Sequence, residues 1–180
     1  TLRAAAYLQE LSSHLPAQLA LTRWTHDMLR AAEEVADTDL EAGVRLSVFE
    51  GAWQSLDDEE AVLLSGSGSL VPGIGLEQRP REEHFALHFE GFLRAPADGI
   101  YSFHLASDDG SRLWLGEELL IDNDGLHGER EVSARIGLRS GLHLLRVDYF
   151  NATDAALLRL EWEGPGLARG TLPPESLCTF

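Results

Sequence analysis

Residues 99–115 read G-I-Y-S-F-H-L-A-S-D-D-G-S-R-L-W-L and join a clear strand pattern to an unusual interruption. Tyr101, Phe103 and Leu105 alternate with polar or small neighbours, which is the period-two pattern of a half-buried β-strand. Asp108 and Asp109 then break the alternation, although adjacent carboxylates repel one another and are unfavourable in strands. We therefore expect a bound cation to compensate for this pair of charges.

Further strand patterns lie on both sides of this stretch. The preceding run, E-H-F-A-L-H-F-E at residues 83–90, predicts another half-buried strand, and three later runs continue the pattern. The later runs are V-S-A-R-I-G-L from Val132, L-H-L-L-R-V-D-Y-F from Leu142 and L-L-R-L-E-W-E from Leu157. Glycine-containing turn signals separate the runs, and no helix of useful length does. The sequence therefore predicts an all-β fold, an antiparallel β-sandwich or flattened barrel.

The composition limits both the size of the fold and the choice of partners. A chain of 180 residues suffices for one full core, and we expect this domain to belong to a larger parent protein with other domains. Asp and Glu number 30 against 14 basic residues, for a net charge of -16. Nucleic acid and anionic membrane surfaces both require basic protein surface, so neither is an expected partner. No apolar run is long enough for membrane insertion.

The first part of the chain has a different pattern. Apolar residues recur at helical spacing in two groups separated by Pro16. The groups are Leu8, Leu11 and Leu15, and then Trp24, Met28, Ala32 and Val35. We accordingly predict a short N-terminal helical extension or linker over residues 1–42, followed by the β-sandwich domain over residues 43–180.

The order of motifs after residue 43 resembles the PA14 domain family. The resemblance depends on residues 90–115, on L-L-I-D-N-D-G-L-H-G at 119–128, on R-V-D-Y-F-N at 146–151 and on L-E-W-E-G-P-G at 160–166. Members of this family are β-sandwiches found in glycosidases, adhesins, toxins and signalling proteins. In the lectin-like members, including flocculins and some bacterial adhesins, two consecutive aspartates joined by a cis peptide bind Ca²⁺, and sugar hydroxyls take the open positions on the ion.

The resemblance implies a specific set of calcium ligands in this chain. The aspartate pair matches Asp108 and Asp109, the loop asparagine matches Asn151, and backbone carbonyls are expected from Thr153 and Ala155. Calcium prefers about six to eight oxygen ligands, and carboxylates, amides, carbonyls and water all serve. A trans pair in a strand would direct its side chains to opposite faces, whereas a cis bond can turn both toward one ion.

The resemblance also places the I-D-N-D-G-L-H-G loop at the same end of the sandwich. Asn123, Asp124 and His127 are therefore candidates for hydrogen bonds to a sugar, together with Asp108, Asp109 and Asn151. The D-N-D-G run is equally typical of an ordinary turn, so that alternative stays open.

Two other kinds of site fit the sequence poorly. A glycosidase needs carboxyl groups held about 5 to 9.5 Å apart, usually from separate elements, which a contiguous Asp-Asp pair does not provide. The scattered histidines lack the Cys-His or H-E-x-x-H spacing of zinc sites. We predict an extracellular or cell-surface, non-enzymatic module that binds glycans through calcium. The remaining alternative is a structural or protein-interaction module in which calcium only stabilises loops.

Overall fold

The computed structural model describes residues 28–35, 40–57 and 68–180 of the chain. Twelve β-strands lie in these ranges and form two antiparallel sheets, as the sequence pattern predicted. No helix in the described ranges is long and apolar enough to cross a membrane.

The larger sheet contains eight strands. Its main path runs β1-β12-β4-β9-β6-β7, while β2 pairs with β4 and β3 pairs with β2. These strands are β1 (Glu41–Ala42), β2 (Val44–Glu50), β3 (Ser69–Val71), β4 (Phe85–Ala95), β6 (Ser111–Leu115), β7 (Glu118–Asn123), β9 (Gly141–Asn151) and β12 (Leu177–Thr179). A 3-10 helix at Pro174–Ser176 leads into β12.

The smaller sheet has four strands in the order β11-β10-β5-β8. They are β5 (Gly99–Asp108), β8 (Arg130–Leu138), β10 (Leu157–Gly164) and β11 (Leu167–Thr171). Strands β5 and β6 are consecutive in the chain but belong to different sheets. Residues 109–110 therefore form the crossing between the two sheets, at one end of the sandwich.

The main core lies between the two sheets, and the alternation in β5 supplies much of it. Tyr101, Phe103 and Leu105 are fully buried, and Tyr101 stacks on Trp162 of β10 with 5.5 Å between ring centroids. Burying side chains of this size contributes about 1.5–3 kcal/mol each, which fixes which face of β5 points inward. The inward face of β5 is therefore fixed up to its last residue, Asp108, which Asp109 follows.

Strand β4 is buried on both faces at its start rather than half-buried as the alternation predicted. Phe85, Leu87 and Phe89 face the main core, but the intervening Ala86 and His88 are buried as well. Ala86 lies in a second apolar cluster on the outer face of the larger sheet, together with Trp53, Leu56, Phe150 and Ala152. The segment at residues 51–57, which carries Trp53 and Leu56, covers Ala86 on this face, which the alternation could not predict.

His88 is buried on the outer face beside two carboxylates. Its Nδ1 lies 2.7 Å from Asp148 Oδ1, and its Nε2 lies 3.6 Å from Glu90 Oε2. Burial alone would lower the pKa of His88, but hydrogen bonds and charge attraction from Asp148 and Glu90 together outweigh it and raise the pKa to about 9. The imidazole of His88 is therefore expected to be positively charged at neutral pH.

The predicted N-terminal helical extension is not seen in residues 29–35. The Arg30 N–H donates to Gly137 O at 2.8 Å, Arg30 O accepts from Arg139 N–H at 3.0 Å, and Glu33 N–H donates to Leu142 O at 2.7 Å. Because these backbone groups bond to the sandwich, they cannot form the hydrogen bonds of a helix, and the prediction was wrong for this segment. The rest of the predicted extension lies in residues 1–27 and 36–39, outside the described residues.

Candidate functional site

The aspartate pair lies at the end of β5, where the chain crosses between the sheets. The Asp108–Asp109 peptide bond is cis, as the resemblance implied. Asp109 is 6% exposed, and both of its carboxylate oxygens accept backbone hydrogen bonds: Oδ1 from His127 N–H at 3.0 Å and Oδ2 from Ala152 N–H at 2.9 Å. The Asp109 carboxylate therefore joins two loops that are distant in sequence.

The end of β9 runs beside the aspartate pair and bonds to each residue of the turn. Tyr149 donates its hydroxyl proton to Asp108 O at 2.6 Å, and Phe150 N–H donates to Gly110 O at 2.9 Å. Burial raises the pKa of Tyr149, so its hydroxyl stays a donor. Together with the bond from Ala152 to Asp109, these contacts hold residues 149–152 against residues 108–110.

Asn151 lies within this segment and is wholly buried. Its Nδ2 donates to Glu82 O at 2.8 Å, which fixes the orientation of the amide. Its Oδ1 is buried and has no hydrogen-bond partner among the described residues. A buried oxygen without a partner costs about 1–3 kcal/mol. A hydrogen-bond donor or a cation beside Asn151 Oδ1 would therefore stabilise the folded protein.

Gly110 leaves no room for a side chain at the turn. A Cβ at this position would lie 2.3 Å from the Phe150 ring, 2.8 Å from Asp124 Oδ1 and 2.9 Å from Gly125 N. Three segments of the chain thus meet at Gly110, and the absence of a side chain allows them to approach the aspartate pair.

Three candidate sugar contacts lie in the loop that begins at the end of β7, and all three are engaged within the protein. The amide of buried Asn123 donates to Ser107 Oγ at 2.9 Å and Arg130 O at 3.1 Å, and its Oδ1 accepts from Arg130 Nε. His127 directs Nε2 toward Asn123 O at 2.9 Å and Nδ1 toward Gly128 O at 2.8 Å. A sugar would reach Asn123 only by displacing these bonds. Direct sugar contact by Asn123 and His127 stays a prediction.

Asp124 anchors a second loop. Its carboxylate accepts from Ser55 Oγ at 2.7 Å, from Leu56 N–H at 3.1 Å and from Arg112 Nη2 at 3.2 Å. Arg112 also contacts Asp57 at 2.6 Å and Asp122 at 3.2 Å, so one buried guanidinium forms ion pairs with three carboxylates. No sequence motif pointed to Arg112 as part of the site. The sequence shows only that Arg112 is a charged residue in a mainly apolar strand that follows the aspartate pair. This position alone does not indicate a function.

Asp108 is less tightly held than Asp109 and lies in an acidic environment. Partial burial raises its pKa, the neighbouring Asp109 charge raises it further, and Asp154 and Glu129 add to the same effect. His127 opposes these charges by lowering the pKa of Asp108. A cation beside Asp108 would favour the charged form of its carboxylate and so oppose the effects that raise its pKa.

Thr153 and Ala155 lie in the loop that follows β9, and both residues are exposed. Asp154 between them has a left-handed backbone with φ of 66°, and its N–H donates to Glu83 Oε1 at 3.3 Å. The predicted carbonyl ligands are thus two and four residues beyond Asn151, and their role stays a prediction.

Across the described ranges, no three His, Cys, Asp or Glu side chains are grouped so that they could hold a metal ion. The candidate calcium ligands are of a different kind, because they comprise two carboxylates, an amide oxygen and backbone carbonyls. This donor set fits calcium, a hard cation that binds oxygen, and the partnerless Asn151 Oδ1 would supply a neutral ligand.

The two packed sheets, with a cis aspartate pair where the chain crosses between them, place this chain in the class of β-sandwich domains. The sequence profile of the PA14 domain matches residues 76–176, more than half of the chain, and the chain belongs to this family. The match begins later than residue 43, where the motif comparison placed it.

Among proteins of known sequence, the chain is similar to Anti-sigma-I factor RsgI3 of Acetivibrio thermocellus. The two are 27% identical over 99 residues, which cover 54% of this chain and 15% of that protein. A solved structure of an anti-sigma factor domain-containing protein from Clostridium clariflavum is 25% identical with a TM-score of 0.63, covering 77% of this chain and 48% of that one. The chain thus spans about half of that solved chain and a much smaller part of RsgI3.

Two solved adhesin domains, one named as sugar-binding and one in complex with a sugar, share the fold. The PA14 sugar-binding domain from an RTX adhesin has a TM-score of 0.66 and 15% identity, covering 77% of this chain and 99% of that one. The Epithelial Adhesin 9 A domain of Candida glabrata, in complex with Galb1-3GlcNAc, has a TM-score of 0.63 and 9% identity, covering 84% and 95%.

Proposed function

We propose that this chain is a calcium-dependent carbohydrate-binding module and not a catalyst. The observation that carries the proposal is Asn151 Oδ1, a buried oxygen with no hydrogen-bond partner among the described residues. The neighbours of Asn151 in β9 and the following loop are bonded directly to Asp108, Asp109 and Gly110. A divalent cation would use this oxygen together with the two carboxylates.

The charge balance supports a reversible sugar site. Two carboxylates neutralise a divalent ion, so hydroxyl groups can replace water on it without burying additional charge. Asp108, Asp109 and Asn151 would hold the ion, with carbonyls of Thr153 and Ala155 as further ligands. Asn123, Asp124 and His127 then act chiefly by fixing the loop that bonds to Asp109, because their polar side-chain groups are engaged in the protein.

The proposed setting follows from the same family. The adhesin neighbours support an extracellular or cell-surface location, with the module directing other domains of a parent protein to glycans. The anti-sigma factor relatives support a signalling protein as another kind of parent.

The structural alternative has its own support. The candidate sugar contacts Asn123, Asp124 and His127 are all hydrogen-bonded internally, as expected if the metal only ties the loops together. In that case calcium would stabilise the protein without creating a sugar site.

A glycan array probed in calcium and in chelator tests the proposal. We expect sugar signals that disappear with chelator and with Asp108→Asn, and that persist in Glu117→Gln. Glu117 is a matched acidic control, because it lies in the turn at the other end of β6. Calcium-induced thermal stabilisation without any sugar signal would favour the structural alternative, and no calcium effect at all would overturn both.

A further inference from the structure

Three strands place a polar residue in their core-facing row of side chains, next to the crossing between the sheets. Core-facing side chains recur at every second residue of a strand, and in this sandwich they are mainly apolar. The residues nearest the crossing in these rows are Leu105 and then Ser107 in β5, Leu113 and then Ser111 in β6, and Ile121 and then Asn123 in β7. All three polar side chains are fully buried. Burying polar groups is unfavourable unless they are hydrogen-bonded, so their presence here needs a physical reason.

Hydrogen bonds join Ser107, Ser111 and Asn123 into one buried polar cluster. Ser107 Oγ lies 2.7 Å from Ser111 Oγ, and Asn123 Nδ2 donates to Ser107 Oγ at 2.9 Å. The same Nδ2 donates to Arg130 O at 3.1 Å, and Asn123 Oδ1 accepts from Arg130 Nε. Every polar side-chain atom of the cluster therefore has a partner. A fully bonded polar network of this kind favours one arrangement of the chain over its alternatives.

The bond between the two serines closes the turn that carries the aspartate pair. Only residues 108–110 lie between Ser107 and Ser111, and the two hydroxyl groups meet across the start and the end of this turn. Ser107 belongs to the smaller sheet and Ser111 to the larger one, so the bond also joins the sheets where the chain crosses between them. Protein groups alone therefore fix the distance between the two ends of the turn.

Asn123 connects the same turn to the loop that follows β7. Its side chain bonds to Ser107, which directly precedes Asp108, and its main-chain oxygen lies 2.9 Å from His127 Nε2. The main-chain N–H of His127 donates to Asp109 Oδ1 at 3.0 Å. Asn123 therefore sets the position of the loop relative to the turn, and the loop in turn holds the Asp109 carboxylate.

We propose that the polar cluster positions Asp108 and Asp109 for calcium without contacting the ion itself. The inference rests on the proposed calcium-dependent function and adds the residues that set the calcium affinity of the site. The wholly buried Asn151 Oδ1, which has no partner among the described residues, is the separate observation that favours a cation here. Ligands that are held in place before the ion arrives lose less conformational freedom on binding, so the ion binds more tightly.

Calcium titration of serine variants by calorimetry tests the proposal. Ser111→Ala removes the bond that closes the turn and retains the bond from Asn123 to Ser107, whereas Ser107→Ala removes both. Groups that orient metal ligands change metal affinity by about 10- to 100-fold, and we expect about a tenfold loss in each variant because the cluster acts through the backbone. Since the two serines share one bond, the double variant should lose about as much affinity as Ser107→Ala alone, and not the product of the two losses.

Ile136→Val is the control for a general loss of stability. Ile136 lies in the main core, near the end of β8 that is distant from Arg130, and it belongs to no part of the polar cluster. Removing one buried methylene group there should lower the urea midpoint measured in chelator. Its calcium affinity should stay within about twofold of the wild type, because distant sites act independently.

Three outcomes would overturn the inference. Calcium affinity within about twofold of the wild type in either serine variant would show that the cluster only stabilises the fold. An equal loss of affinity in Ile136→Val would indicate general loosening, and losses that multiply in the double variant would exclude action through the shared bond. In each of these cases the wild type binds calcium and the proposed function stands, whereas a wild type that binds no calcium would overturn both.

Discussion

Replacing Asp109 by asparagine should destabilise the protein even without calcium. Both oxygens of the Asp109 carboxylate accept a backbone hydrogen bond, from His127 at 3.0 Å and from Ala152 at 2.9 Å. An asparagine amide has only one oxygen, so in either orientation its NH₂ group faces a backbone N–H. One buried donor is then left without an acceptor.

The magnitude follows from that lost bond. An unsatisfied buried donor costs about 1–3 kcal/mol, and a hydrogen bond to a charged group contributes about 1.5–3 kcal/mol. We expect Asp109→Asn to lower the free energy of unfolding by about 2–3 kcal/mol in chelator. For a chain of this length, that loss corresponds to about 4–12 °C in melting temperature.

Asp108→Asn is the matched control for this experiment. Burial and the Asp109 charge both raise the pKa of Asp108, so its negative charge is unfavourable in the absence of calcium. Without calcium, Asp108→Asn should be as stable as the wild type or slightly more stable, while both variants should lose calcium-induced stabilisation. Urea unfolding, monitored by tryptophan fluorescence in chelator and in calcium, measures all three proteins. Equal destabilisation of the two variants in chelator would refute the reasoning.

Three further predictions concern the surroundings of the site. Gly110→Ala should cost about 1–3 kcal/mol in denaturant unfolding and weaken calcium binding in calorimetry, because the new Cβ would lie 2.3 Å from the Phe150 ring. Asp124→Ala should make the loop at residues 51–57 more susceptible to limited proteolysis, since it removes the acceptor shared by that loop and Arg112; unchanged cleavage would count against this role. His88 has a pKa raised from 6.5 to about 9, so its contribution to stability is complete below pH 6.5 and is lost as the pH rises through 9. The free energy of unfolding should fall over that interval by up to about 3 kcal/mol, and His88→Gln should remove this dependence.

The two-sheet fold was predictable because local alternation and burial agree. Tyr101, Phe103 and Leu105 are apolar at every second position, and the structure buries all three. The same pattern could not show that Ala86 and His88 would also be buried, because their covering comes from other parts of the chain. Period-two alternation predicts that one face of a strand is buried, but it gives no information about burial of the other face.

The N-terminal prediction was wrong for residues 29–35 for a related reason. Met28, Ala32 and Val35 have helical spacing, but spacing alone cannot weigh a helix against backbone bonds to a sheet. Arg30 forms such bonds with Gly137 and Arg139. Tertiary hydrogen bonding overrides a short pattern of this kind, because an isolated short helix is marginal in water.

The candidate site was partly predictable in the same sense. The sequence motifs matched Asp108, Asp109 and Asn151, and the structure connects the segments that carry them through backbone and side-chain hydrogen bonds. Motifs could not reveal which polar atoms are already used. Asn123 is engaged by Arg130, whereas Asn151 keeps its oxygen without a partner among the described residues.

A crystal structure grown in calcium, with an anomalous difference map, tests the central claim most directly. We expect a single anomalous peak for a calcium ion within ligand distance, about 2.3–2.6 Å, of the carboxylates of Asp108 and Asp109 and of Asn151 Oδ1. A map without that peak, in which Asn151 Oδ1 accepts a hydrogen bond from an ordered water, would contradict the account.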